Sequence, residues 1–383
     1  LQNVLKVSAN SVYGGLSSRY GLPLIEAARV VTYRGRELNR KCQQIAKDHF
    51  MTISGGDTDS IFCRMNNPID DPRVYKKIGE DFAAVLSNQF EKPLRVEFEK
   101  TYAKMILICP KMYAGIALVT IDKKNVISVE EFAINKEYDN GDTRCLKVIH
   151  NNKGKHEVTF LLFPKHLNHE DWVNDCIAGT PVRNELFVDQ TKITVEKILS
   201  VEEMSEYKNY DTQKMKLLKI TNENKERSLI LVPKDLKYSS VESISGIAAK
   251  EEAVPDETKI TKKGIIIARR DNCPWIRKAY LKILLNILFS RPLSKSIDVI
   301  NDEIVNVMSR NVYHRDLLIN KEIGTEYKEG STYSMCIFAQ ELRKKGIVIE
   351  GGERVDYLMV RLPEQRTVRG SERVQFTNIG NTI

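Results

Sequence analysis

The chain is 383 residues long, 42% hydrophobic and 29% charged, enough for two domains with packed cores and with no apolar run long enough to span a bilayer. Its seven cysteines stand singly with no Cys-x-x-Cys pair, so no zinc site is expected and the thiols read as reduced core groups of an intracellular protein. The net charge of +8 sits at one end: Lys259 onward carries 22 Lys and Arg against 14 Asp and Glu, while the first 258 residues hold 37 of each. Such an excess suits a face toward a polyanion and, equally, a plain solvated basic surface.

In chain order, the segment through Tyr13 reads as the end of a helix that Gly14-Gly15 breaks, with a polar loop to Leu22. Pro23 opens a second helix, whose Leu24, Ala28, Val31, Leu38, Cys42 and Ile45 fall on one side, away from Arg29, Arg36 and Arg40. Residues 51–54 and 61–65 read as strands of a hairpin, joined by the turn-rich run Gly55-Gly56-Asp57-Thr58-Asp59-Ser60. Val74, Ile78, Phe82, Val85 and Gln89 mark another helix, and Leu94, Val96 and Phe98 alternate as a half-buried strand does. Residues 105–109 and 113–120 form a second hairpin about Pro110-Lys111. An α+β core of antiparallel sheet packed on helices is expected.

Between residues 121 and 258 the patterns weaken and only runs such as 158–163 and 228–232 look like strands, so an insertion of mixed structure is expected. From Lys259 the chain turns helical. Asp271 or Asn272 can cap a helix with Pro274 in its first turn and Ile276, Tyr280, Ile283, Ile287 and Leu288 as its apolar face. Ile297, Ile300, Ile304 and Met308 repeat that spacing. A third helix over residues 331–345 stops at Gly346 and leads through Gly351-Gly352 into a strand over residues 355–360. The domains expected are 1–50, 51–120, 121–258 and 259–383.

Asp57 and Asp59 sit where a hairpin would hold two carboxylates at an exposed turn, beside Gly56, which permits close approach. Two such charges repel unless they share divalent cations, and oxygen ligands suit magnesium or manganese. Taken alone, Asp-x-Asp more often marks a solvated turn. Lys6, Asn10 and Tyr13 recur at i, i+4 and i+7 and project from one side of a helix. They offer a point charge for a triphosphate, a neutral donor, and a flat ring for a base or sugar; a plain polar helix face is the alternative. His166 and His169 read as solvated loop residues.

In this order, Lys6…Asn10-Ser11…Tyr13-Gly14 and Gly56-Asp57-Thr58-Asp59-Ser60 resemble the fingers-helix motif and the Gly-Asp-Thr-Asp-Ser motif of family B DNA polymerases. Glu97-Phe98-Glu99-Lys100 is similar to the family's palm strand, and Lys111-Met112-Tyr113-Ala114-Gly115 to its Lys-Lys-Arg-Tyr element. Lys263-Gly264 with Arg269-Arg270-Asp271-Asn272 resembles the entry to the thumb. Tyr327-Lys328 and Gly351-Gly352-Glu353-Arg354-Val355 resemble the thumb's end. The likeness covers roughly residues 1–120 and 259–360. The wording of Glu26-Ala27-Ala28-Arg29-Val30-Val31-Thr32 and of the double-arginine region at Arg269-Arg270 is most similar to polymerases of large eukaryotic DNA viruses.

The resemblance implies a fingers end and first palm helix (1–50), a palm (51–120) and a mainly helical thumb (259–383). It implies template-directed transfer from a dNTP to a primer 3′-hydroxyl, with two magnesium ions, or manganese, on Asp57 and Asp59 and with Glu99 as an outer candidate. Lys6 and Asn10 would hold the triphosphate, Lys6 would assist the departing pyrophosphate, and Tyr13 would check the base pair's minor groove. Lys111 and Tyr113 would touch the primer. Arg269 and Arg270 would bind duplex backbone, a salt bridge to Asp271 being the structural alternative. Primer-template DNA, dNTP and a processivity factor are the implied partners, in a host nucleus or viral replication site, with no membrane.

The start at Leu1-Gln2-Asn3, without the family's upstream palm aspartate, first fingers helix or exonuclease domain, leads us to expect a partial chain that does not polymerise alone. Gly55 stands where the family usually has tyrosine, and Pro110 and Met112 replace a lysine and an arginine, which implies weaker primer contacts. Two rivals stand beside this reading: a non-catalytic nucleic-acid-binding protein on a polymerase scaffold, and a nucleotidyltransferase acting on RNA.

Overall fold

The computed structural model describes residues 2–18, 24–57, 59–204, 215–238, 242–324, 334–347, 350, 352–357, 359–360 and 375–376. The chain divides into two compact units, residues 1–101 with 106–113, and residues 102–105 with 114–383. Among the described residues no helix is long and apolar enough to cross a membrane.

In the first unit, helix α1 (Gln2–Ser17) runs through Gly14-Gly15 rather than ending there. Glycine weakens a helix by about 1 kcal/mol relative to alanine, a cost that does not forbid it. The expected loop to Leu22 and the Pro23 start lie largely outside the described residues. Helix α2 (Ile25–Asp48) buries Ala28, Cys42 and Ala46, but leaves Leu24 and Val31 exposed, so the inward stripe is narrower than the spacing predicts.

The hairpin of β1 (Met51–Asp57) and β2 (Ser60–Met65) follows. Helix α3 (Tyr75–Ser87) is preceded by Asp71, whose carboxylate takes two charge-assisted bonds from the buried Arg73, each of 2.8 Å. The strand expected at Leu94, Val96 and Phe98 does not form. The segment is held instead by Ser87, whose Oγ accepts from the Val96 N–H at 2.8 Å. Phe98 lies so close over Gly79 of α3 that any Cβ there would overlap its ring. Strands β3 (Tyr102–Cys109) and β4 (Met112–Ala117) then make the hairpin about Pro110-Lys111.

The second unit holds the main correction. Among the described residues of 121–258 the regular structure is not mixed but nearly all strand, joined by loops and short 3-10 turns. The strands are the second half of β5 (Val119–Asp122), then β6 (Val126–Phe132), β7 (Thr143–Asn152), β8 (Lys155–Pro164), β9 (Cys176–Glu196), β10 (Ile198–Glu203), β11 (Met215–Asn222), β12 (Arg227–Pro233) and β13 (Ser243–Pro255). They form one nine-stranded sheet in the order β10-β11-β12-β13-β9-β8-β7-β6, with β5 also on β9. Its core falls in separate clusters: Leu146, Val148, Leu161, Phe163 and Ile177 around β7–β9, and Leu218, Ile220, Ile230 and Val232 on β11–β12. Leu217 and Leu231 belong to a third cluster. Neighbouring residues of a strand point to opposite faces, so β11 and β12 are covered on both. That erases the polar alternation by which a strand is read from sequence.

Strand β14 (Ile260–Lys263) joins β4 and β3 in a three-stranded sheet. Helix α4 (Pro274–Leu288) has Pro274 in its first turn as expected, but Cys273 holds the cap position, and neither Asp271 nor Asn272 caps it. Helix α5 (Leu293–Met308) presents Ile297, Ile300 and Ile304 outward at 44–49% exposure, while Ser296 is buried. On the inward side Lys282 Nζ and Trp275 Nε1 donate to Glu303 at 2.6 and 2.9 Å. Arg291, stacked over the Tyr138 ring and 3.4 Å from Glu137, ties the end of α4 to the β region.

Strand β15 (Ile319–Glu322) and β16 (Arg354–Tyr357) pair around a cluster of Ile323, Ala339, Leu342 and Tyr357, which α6 (Ser334–Lys344) completes. Helix α6 ends before Gly346, whose φ of +79° suits the expected stop. Residues 331–333, Tyr327-Lys328 and Gly351 lie outside the described residues. Short strands β17 (Met359–Val360) and β18 (Gln375–Phe376) close the described chain. None of the seven cysteines is in a disulfide; Cys42, Cys145, Cys176 and Cys336 are buried, whereas Cys63 and Cys109 are exposed rather than core.

Ile230→Ala should cost about 2–5 kcal/mol in urea unfolding, because its side chain is fully enclosed. Ile304→Ser, on the outward side of α5, should change stability by no more than about 0.5 kcal/mol. The hydrogen bond from Lys282, with that from Trp275, holds the Glu303 carboxyl below its ordinary value. The stability this adds above the unfolded value is lost as pH falls through the lowered one. Glu303→Gln should therefore flatten the acid limb of the stability profile.

Candidate functional site

The hairpin β1–β2 is tighter than its sequence suggests. Pairing runs Gly55 to Phe62, Gly56 to Ile61 and Asp57 to Ser60, so only residues 58 and 59 are left to turn the chain. The Asp57 carbonyl accepts the Asp59 N–H at 2.7 Å and the Ser60 hydroxyl at 3.1 Å. A Cβ on Gly56 would lie 2.6 Å from the Ser60 carbonyl oxygen, a backbone atom that cannot step aside. Glycine at this position is thus what lets the two strands close to the last pair. A bulge between Ile53 and Gly55 re-aims the strand before the turn.

The expectation of two carboxylates at an exposed turn holds for one of them. Asp59 is exposed; Asp57 is 6% exposed and so largely withdrawn from water. Asp57 and Ser60 are the last strand pair, so the Asp57 side chain shares a face with Gly55 and Phe62, and that face is covered. Glu99 is exposed and paired with Lys100 at 3.1 Å. Among the described residues no three or more His, Cys, Asp or Glu side chains gather as a metal group. Asp57 and Asp59 alone are an oxygen-only pair, a set that suits magnesium, which keeps waters and takes only one or two protein carboxylates beside substrate phosphates.

Lys6, Asn10 and Tyr13 all lie on α1. Tyr13 is 41% exposed; the side chains of Lys6 and Asn10 lie outside the described residues. Helix α2 packs against α1 and against both strands of the hairpin, and is the element that links them.

Lys111 occupies the second turn position between β3 and β4 with φ of +63°, an exposed left-handed residue after Pro110. Tyr113 follows on β4, its ring edge-on to Phe62 with centroids 5.2 Å apart. The hairpin tip bearing Lys111 and Tyr113 is therefore joined to the carboxylate hairpin. Phe62 was not among the residues singled out from sequence; an aromatic two positions beyond Ser60, across from a glycine, was the available signal.

In the second unit Arg269 and Arg270 are both exposed. Arg269 Nε donates to the Gly264 carbonyl at 2.9 Å. Asp271 pairs with Arg354 at 3.3 Å, and Arg354 also donates to the Asn320 carbonyl at 2.8 Å. Arg354 thus links the segment before α4 to the β15–β16 pair, a role legible only once both segments were folded together.

Among known proteins, a profile described as DNA polymerase family B matches residues 1–254 and 185–379. The DNA polymerase delta catalytic subunit of Arabidopsis thaliana is 36% identical over 125 residues, which are 30% of this chain and 11% of that protein. That of Bos taurus is 37% identical over 125 residues, with the same shares. That of Plasmodium falciparum (isolate K1 / Thailand) is 36% identical over 134 residues, 32% of this chain and 12% of the relative. The matched stretch is therefore a small part of each relative's length. A structure of the family B DNA polymerase from the hyperthermophilic archaeon Pyrobaculum calidifontis aligns with a TM-score of 0.40 and 15% identity over 99% of this chain and 30% of that one.

Gly56→Ala should destabilise the first unit by about 1–3 kcal/mol, since the strands must part to admit the methyl group. At Gly55 a Cβ would meet Leu107 Cδ1 at 3.6 Å and Phe62 Cδ2 at 3.7 Å, ordinary contacts. Gly55→Ala should be nearly neutral in the same urea titration, and equal losses at both glycines would contradict this account of the turn.

Proposed function

Because the chain belongs to DNA polymerase family B, we propose that it carries part of the machinery for template-directed DNA synthesis, with residues 1–50 ending the fingers, 51–120 forming the palm and 259–383 the thumb around an inserted β region. The observation that carries the proposal is the Gly-Asp-Thr-Asp-Ser hairpin, whose ladder closes at Asp57 and Ser60 with Asp59 in the turn and whose face is joined to Tyr113.

In this reading a primer 3′ oxygen bonds to the α-phosphorus of a dNTP and the bond to pyrophosphate breaks. Asp57 and Asp59 would hold magnesium or manganese, and two such ions when bound stabilise the attacking and leaving oxygens. Lys6 and Asn10 bind the triphosphate, and Lys6 offsets the charge that builds on the departing pyrophosphate. Tyr13 tests the minor-groove edge of the new base pair. Lys111 and Tyr113 hold the primer end. Arg269 and Arg270 reach the duplex backbone, and exposure of both side chains supports this role.

Primer-template DNA and dNTP are the proposed partners, with a processivity factor and a nuclear or viral replication site as further parts of the proposal. The viral likeness of residues 26–32 belongs here too, whereas the three relatives described above are delta subunits of a plant, a mammal and an apicomplexan parasite.

Asp59→Asn in the full-length protein should abolish nucleotide addition in magnesium while leaving primer-template affinity within about twofold. Single-turnover extension of a labelled primer together with fluorescence anisotropy checks both halves, and extension at the normal rate would remove Asp59 from the site.

A further inference from the structure

We infer that Phe62 is a positioning residue that sets Tyr113 against the carboxylate-bearing face of the hairpin, and through it the primer end; this rests on the proposed role of Tyr113. Four observations converge on it. Phe62 pairs across the ladder with Gly55, and the adjoining pair on that face is Asp57 with Ser60, so Phe62 and Asp57 lie side by side on one surface. Gly55 offers no side chain to that surface. The space above it is bordered by Phe62 and by Leu107 of β3, whose Cδ1 would stand 3.6 Å from a Cβ there. The Phe62 ring meets Tyr113 at 71° between planes, the edge-on geometry that aromatic quadrupoles favour.

Physically, the Tyr113 ring rests against an aromatic wall that stands on the strand following the Asp57–Asp59 turn. A change in Phe62 tilts the tyrosine while both carboxylates stay in the chain. It therefore acts on primer placement and leaves nucleotide affinity alone.

The test uses the full-length protein with a primer-template duplex at fixed salt. Phe62→Leu keeps apolar volume and loses the ring edge. It should weaken primer-template affinity and raise the KM for primer roughly two- to tenfold, the equivalent of one aromatic contact, with the KM for dNTP unchanged. Phe62→Tyr, which keeps the ring, should restore the normal value. Phe62→Leu combined with Tyr113→Leu should lose no more than Tyr113→Leu alone, since both changes remove one contact.

A Phe62→Leu variant that melts lower but binds primer normally, or that adds its loss in full to that of Tyr113→Leu, overturns the inference and leaves Phe62 a packing residue. Asp59→Asn is run alongside. If it extends primer at the normal rate, the assignment of Asp59 to the site fails; if the unaltered protein extends no primer either, the polymerase reading fails; if only the unaltered protein is active and Phe62→Leu binds primer normally, only the positioning role fails.

Discussion

The candidate site depends on one close approach of backbone to backbone, that of Gly56 to the Ser60 carbonyl. Because nothing projects from Gly56, the ladder runs to its last pair and the chain reverses over two residues. That shortness keeps two carboxylates two positions apart at the end of a stiff ladder. A longer turn would let them drift apart and relieve their repulsion. The same closure sets the face to which Asp57, Gly55 and Phe62 belong, and hence where Tyr113 can rest.

Asp57 and Asp71 are both withdrawn carboxylates of the first unit. Asp71 is answered within the chain by the guanidinium of Arg73, two short parallel bonds that leave little for an external cation to add. Asp57 stands beside another acid at the end of a hairpin, and Asp59 is open to solvent. A pair with one buried and one open member can hold an ion against the protein while leaving coordination positions for a substrate. Helix α2, packed on both the hairpin and α1, is the scaffold on which such a site would be assembled.

The second unit is organised by β pairing rather than by helices. The sheet buries side chains on both faces of β11 and β12, and Arg291, with Tyr138 beneath it, ties this region to the end of α4. Helices α4 and α5 are joined by a polar network around Glu303, while the α5 isoleucines whose spacing first marks it as amphipathic stay about half exposed. Periodicity identifies the helix, but which side turns inward depends on the partner surface, and here that surface offers Lys282 and Trp275.

From residue order alone, the antiparallel α+β character, the hairpin around Asp57 and Asp59, the hairpin about Pro110-Lys111, the helices and the stop at Gly346 could all be read. Each follows from short-range physics: glycine and proline dihedrals, and the 2.0 or 3.6 period of a one-sided element. The motif order also led to the family. Only the tertiary structure decided the two-residue turn, the burial of Asp57, the contact of Phe62 with Tyr113, the pairing of Asp271 with Arg354 and the nine-stranded sheet. These depend on partners distant in sequence. A strand covered on both faces no longer alternates, and a side chain's exposure belongs to whatever the rest of the chain lays against it.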